Sequence, residues 1–106
     1  MRFRYLSPFL CLLPLAAVAV ATDHVINQRE KAFSETAIQA KVGDTLTFHN
    51  SDPFVHSIFS LSAVQPFDLG ALKAGDTRQV VLSKPGRMVV ECAVHPQMKL
   101  VVEIGR

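Results

Sequence analysis

The chain has 106 residues, with 11 lysines and arginines against 9 acidic residues, two cysteines and no tryptophan. That length bounds it to one domain. The positive surplus lies in Arg2 and Arg4, and without them nine basic residues face nine acidic ones, in no block, which excludes a nucleic-acid or anionic-membrane surface as the basis of function.

Arg2 and Arg4 precede an apolar run from Tyr5 to Val20 that closes in the small residues Ala19-Val20-Ala21. A positive start, an apolar middle and an A-x-A ending form a secretory signal peptide over residues 1–21, cleaved before Thr22. A retained membrane anchor is the alternative, but Pro8 and Pro14 interrupt a run of about 16 residues where a span needs about 20. Cys11 lies inside this run after Pro8-Phe9-Leu10, which lacks the small residues that precede a lipid-modified cysteine, so it is not taken as a site. Residues 22–106 form the domain, expected in the periplasm. There the one remaining cysteine, Cys92, needs a reason to stay unpaired, and a metal competes with the plainer role of a small buried apolar side chain.

From Thr22 onward apolar residues recur at every second position between turn signals, the period of half-buried strands. Val25-Ile26 begins an edge strand that ends in the polar run Asn27 to Lys31, and Phe33 is an isolated anchor. Ile38, Ala40 and Val42 alternate with Gln39 and Lys41. Gly43-Asp44 turns the chain into Thr45 to Asn50, with Leu46 and Phe48 on one face and Thr45, Thr47 and His49 on the other. Ser51-Asp52-Pro53 breaks that strand, and Phe54 to Leu61 begins another in which His56 shares a face with Ile58. Ser62 to Leu72 is a crossing loop with a short strand around Phe67 to Leu69. Thr77 to Leu82 points Val80 and Leu82 inward, and Lys84-Pro85-Gly86 is the clearest turn. Arg87 to Cys92 puts Met88, Val90 and Cys92 on one face, and Lys99 to Ile104 aligns Leu100, Val102 and Ile104. Seven to eight short strands without a helix predict an all-β, antiparallel sandwich or barrel.

Between the last two strands lies Cys92-Ala93-Val94-His95-Pro96-Gln97-Met98, with a thiolate, an imidazole and a thioether at every third position. Copper is the first-row ion suited to two imidazoles and a thiolate with a weak axial thioether, and His56 is the candidate for the second imidazole. Zinc is the main inorganic rival, but its structural sites use paired cysteines or more histidines. The candidate metal ligands are therefore His56, Cys92, His95 and Met98, holding one copper ion as Cu(I) or Cu(II). His49 falls on the outward face and is left out. Cleavage before Thr22 would also expose Thr22-Asp23-His24, whose amine, amides and imidazole can form a square-planar nitrogen set; a lone exposed histidine is the plainer alternative.

His56 with Cys92-x-x-His95-x-x-Met98 resembles the type 1 blue-copper proteins, the cupredoxins, and most closely their plastocyanin and amicyanin branch. Gly43-Asp44 before a strand and Phe48-His49-Asn50 upstream of the first histidine fit as well. The resemblance implies a Greek-key sandwich with one copper at one end, moving single electrons between redox partners that dock transiently near His95. It implies a monomer and not an enzyme. A copper carrier or buffer built from the same residues is the rival function.

This chain departs from the pattern in places. Relatives commonly have Asn directly after the first histidine, bracing the ligand loop, where this chain has Ser57 with a shorter reach. Val90 stands where an aromatic is common, and Glu91 beside the cysteine is unusual. Plastocyanin and amicyanin carry Pro at the second position after the cysteine. Here Val94 keeps an N–H that is expected to donate to the Cys92 sulfur.

Overall fold

Alternating apolar side chains build nine strands among residues 20–106, the part of the chain described by the computed structural model. Residues 1–19, and with them most of the expected signal peptide, lie outside it. No helix among the described residues is long and apolar enough to cross a membrane. The strands are β1 (Asp23–Arg29), β2 (Ala32–Phe33), β3 (Ala37–Lys41), β4 (Thr45–Asn50), β5 (His56–Ser60), β6 (Phe67–Leu72), β7 (Thr77–Val81), β8 (Gly86–Glu91) and β9 (Lys99–Gly105).

They form two sheets, ordered β2-β1-β4-β7 and β3-β9-β8-β5-β6. The expected sandwich is present, but its sheets are mixed rather than antiparallel throughout: β1 runs parallel to β4, and β3 runs parallel to β9. Both pairs join strands of opposite halves of the chain or strands separated by a crossing between sheets, an arrangement that apolar alternation does not encode. The first strand is also covered rather than at an edge. Its outer side carries β2, a two-residue strand built on the Phe33 anchor through a tight hairpin. Glu30 and Lys31 form that hairpin's loop, both in the left-handed region at φ 54° and 57°. Such a loop ordinarily recruits Asn-Gly.

Leu46 and Phe48 of β4 face Met88, Val90, Leu100 and Val102 of the other sheet, all fully buried. Phe33 packs on Phe48 with ring centroids 6.1 Å apart. The last expected turn has a steric reason for its glycine: Gly86 sits at φ 143°, and a Cβ there would meet Val64 Cγ2 at 2.9 Å. The strand near Phe67 extends to Leu72, kinked against β5 by a register shift at Ile58 and Phe59.

The Gly43-Asp44 turn is held by its own carboxylate. Asp44 accepts the backbone N–H groups of Thr22 and Lys41 and contacts His24 Nε2, each at 2.9 Å. The Thr22 amide first, then His24 and the Lys41 amide, lower its pKa to about 2 from 3.8. Because the folded-state pKa is depressed, this contribution to stability is present above about pH 4 and is lost as pH falls from 3.8 towards 2. Acid unfolding of Asp44→Asn should therefore be flatter than wild type across that window, as followed by circular dichroism. His24 is thus engaged by Asp44 and sits within a paired strand, so a square-planar set at Thr22-Asp23-His24 would have to compete with these bonds.

Candidate metal centre

β5 and β8 are neighbours in the five-stranded sheet, with Phe59 opposite Glu91. This antiparallel register carries His56 and Ser57 alongside Cys92, which follows β8 directly. Alternation turns His56 inward with Ile58 and Ser60, leaving it fully buried. The loop after Cys92 is closed by a turn in which the Met98 N–H donates to the His95 carbonyl at 2.9 Å. Pro96 occupies the second position of that turn, where its fixed φ is favoured. The turn returns Met98 to the interior at 2% exposure and leaves His95 half-buried.

Three of the four expected ligands are brought together as donor atoms. Cys92 Sγ lies 3.7 Å from His56 Nδ1 and 4.0 Å from His95 Nδ1, and the two nitrogens are 3.1 Å apart. A point roughly 2 Å from all three atoms lies inside this triangle, close to the bond lengths that imidazole and thiolate make to a first-row ion. The donor chemistry therefore fits a copper ion, and Met98 is buried in the same loop. His49 remains apart, its Nδ1 bonded to Thr77 Oγ1 at 2.9 Å.

Burial pushes the Cys92 thiol up, but hydrogen bonds outweigh it and leave the pKa below 9.0. The Ser57 backbone N–H contributes most among these donors, and it stands 3.3 Å from the sulfur. His56 follows, then the amides of His95 and Val94. The expected Val94 amide acts in the stated sense but comes last among these, whereas the Ser57 N–H on the neighbouring strand makes a hydrogen bond to the sulfur. A donor to thiolate favours the reduced metal, so Val94→Pro should lower the reduction potential by about 20–40 mV, the equivalent of about 0.5–1 kcal/mol. Voltammetry of the copper-loaded variant measures this; an unchanged or higher value would remove Val94 from the account.

The short side chain at Ser57 does brace the loop. Its Oγ accepts the Ala93 N–H at 2.8 Å, and the same hydroxyl lies 3.9 Å from the Cys92 sulfur. Two further residues escaped the sequence reading. Asn50, 1% exposed, donates to the Phe54 and Leu72 carbonyls at 2.8 and 2.9 Å and accepts the Asp52 N–H at 2.9 Å. Asp52, 6% exposed, lies 2.6 Å from His56 Nε2. The signal for both was the Asn-x-Asp-Pro spacing, which marks a side-chain-capped turn but not what the turn holds.

At the surface, the Phe54 ring lies 5.5 Å from the His95 ring, edge to face, and 5.3 Å from that of His56. Phe54 and its chain neighbour Val55 are exposed, as is Val94 next to His95 in the chain, and Lys31 Nζ stands 5.8 Å from the Phe54 centroid. Partial desolvation, the His56 ring and the Lys31 charge hold the His95 pKa below 6.5.

No protein-family model matches the chain. It is 24% identical over 95 residues to the methylamine utilization protein MauL of Methylorubrum extorquens, covering 89% of this chain and 83% of MauL. Among solved structures it superposes on amicyanin with a TM-score of 0.71 and 20% identity, covering 81% of this chain and 86% of amicyanin. A purple cupredoxin from Nitrosopumilus maritimus gives a TM-score of 0.69 and 23% identity, covering 78% of this chain and 100% of the other. The copper-containing nitrite reductase of Thermus scotoductus gives 0.73 and 23%, covering 79% of this chain, which spans only 22% of that longer protein. The chain has the cupredoxin fold, and the loop end of its sandwich brings together the donor chemistry of a type 1 copper site.

Proposed function

We propose that this protein binds one copper ion through His56, Cys92, His95 and Met98 and transfers single electrons between redox proteins. The observation that carries this reading is the convergence of two imidazole nitrogens and one thiol sulfur within 4.8 Å of one another. Copper supplies the one-electron couple. The chain's part is to fix the donors beforehand: two strands of one sheet hold His56 and Cys92, the Pro96 turn holds His95 and Met98, and the Ser57 hydroxyl ties the loop to the sheet. Donors held this firmly move little when the metal changes charge, which keeps the reorganisation small. Four protein donors also leave no position for a substrate, in keeping with a carrier rather than an enzyme.

His95 is the exit for the electron. Its half-buried ring sits edge to face with the exposed Phe54 and next in the chain to the exposed Val94. A small apolar patch suits partners that must dock and separate quickly. Export to the periplasm and cleavage before Thr22 complete the reading. The whole of β1 would survive, and the new ammonium of Thr22 would fall 2.9 Å from the Asp44 carboxylate.

Competition against a copper chelator during repeated voltammetric cycles tests the assignment. The electron carrier keeps its metal through many cycles and gives a reversible one-electron wave. Ready loss to the chelator between cycles points to a copper carrier built from the same residues.

A further inference from the structure

His56 is held at both ring nitrogens, one by the donor triangle and one by a carboxylate. Nδ1 faces Cys92 Sγ and His95 Nδ1, while Nε2 lies 2.6 Å from Asp52 Oδ2. The side chains of His56 and Asp52 are 0% and 5% exposed. Asp52 is itself tethered, since its oxygens accept the backbone N–H groups of Glu30 at 2.6 Å and Lys31 at 3.2 Å. One buried carboxylate thus joins the β1–β2 hairpin loop to the ring that faces the donor triangle. An ionised carboxylate can only accept, so Nε2 carries the proton and the Nδ1 lone pair is left for a metal.

We propose that Asp52 is a positioning residue: it fixes the tautomer and ring orientation of His56, and its charge makes that imidazole a stronger donor, favouring Cu(II) and lowering the reduction potential. The inference rests on the copper reading above. The physical basis is general: a carboxylate behind a ligating imidazole raises its basicity, and a more basic donor stabilises the more highly charged ion. The effect opposes that of the Ser57 amide on the sulfur, so the potential is a balance between a carboxylate behind one donor and an amide on another.

The test is Asp52→Asn, which keeps the size and removes the charge. Cu(II) affinity should fall about 10–100-fold. Cu(I) affinity should fall less, so the potential rises by about 59 mV for each tenfold difference between the two. A paired control, Phe33→Leu, loosens the packing of the β1–β2 hairpin on Phe48 without removing a charge, a donor to Asp52 or the Asp52–His56 contact. Its potential should match wild type, whereas a purely structural role for Asp52 would move both variants together. In the metal-free wild-type protein, nitrogen NMR should show His56 protonated at Nε2 with a proton protected from exchange. An unprotonated or freely exchanging Nε2 overturns the proposal even if Asp52→Asn fails to fold. An unchanged or lower potential in Asp52→Asn, with the wild-type copper spectrum intact, overturns the proposal and leaves the copper reading standing. A wild-type chain that takes up no copper overturns the copper reading, and the tuning of a copper potential with it.

Discussion

Cys92→Ser abolishes the intense visible absorption that the copper-loaded protein is expected to show. That band is transfer of charge from a thiolate to Cu(II), and it needs sulfur bound as an anion. Cys92 is the free cysteine among the described residues, it is buried, and hydrogen bonds lower its thiol pKa against the effect of burial. A serine hydroxyl stays protonated near neutral pH and offers a harder oxygen in place of a soft sulfur. The variant should still fold, because the substitution is nearly isosteric and the loop tether, Ala93 N–H to Ser57 Oγ, does not pass through the sulfur. Optical titration with Cu(II) checks the result, and a surviving band would mean that Cys92 is not the thiolate donor.

Asn50→Ala should cost about 2–4 kcal/mol of folding stability, the largest loss expected from a single polar side chain here. Its side-chain amide serves two carbonyls and one N–H, so truncation removes its bonds to the Phe54 and Leu72 carbonyls and to the Asp52 N–H together. Phe54 and Asp52 belong to the segment that delivers His56, and Leu72 lies opposite His56 on β6. The same variant should therefore weaken copper uptake although Asn50 touches none of the four donors. Urea unfolding of the metal-free protein measures the first effect, and a change below about 0.5 kcal/mol, the range of ordinary surface substitutions, would remove Asn50 from the account.

Much of this arrangement was legible in the chain before it folded. Alternation placed Met88, Val90 and Cys92 on one inward face, and the structure buries all three. It also put Leu100, Val102 and Ile104 together on the closing strand. The spacing of Cys92, His95 and Met98 pointed to a loop of graded donors, and the inward position of His56 beside Ile58 followed from the period of two. What escaped reading depends on contacts between distant segments. The parallel pairing of β1 with β4 is set by how the sheets close, not by either strand's pattern. Ser51-Asp52-Pro53 announced a break, yet the carboxylate's three partners, Glu30, Lys31 and His56, lie on both sides of it and across the hairpin. The strength of the Ser57 amide as a donor to sulfur likewise arises from strand register, whereas local sequence directed attention to Val94.

X-ray absorption at the copper edge of the loaded protein tests the central claim most directly. The account predicts one ion per chain with two nitrogens and one sulfur at short range, about 2.0–2.3 Å, and any thioether farther out. A first coordination shell without a short copper–sulfur distance would contradict it.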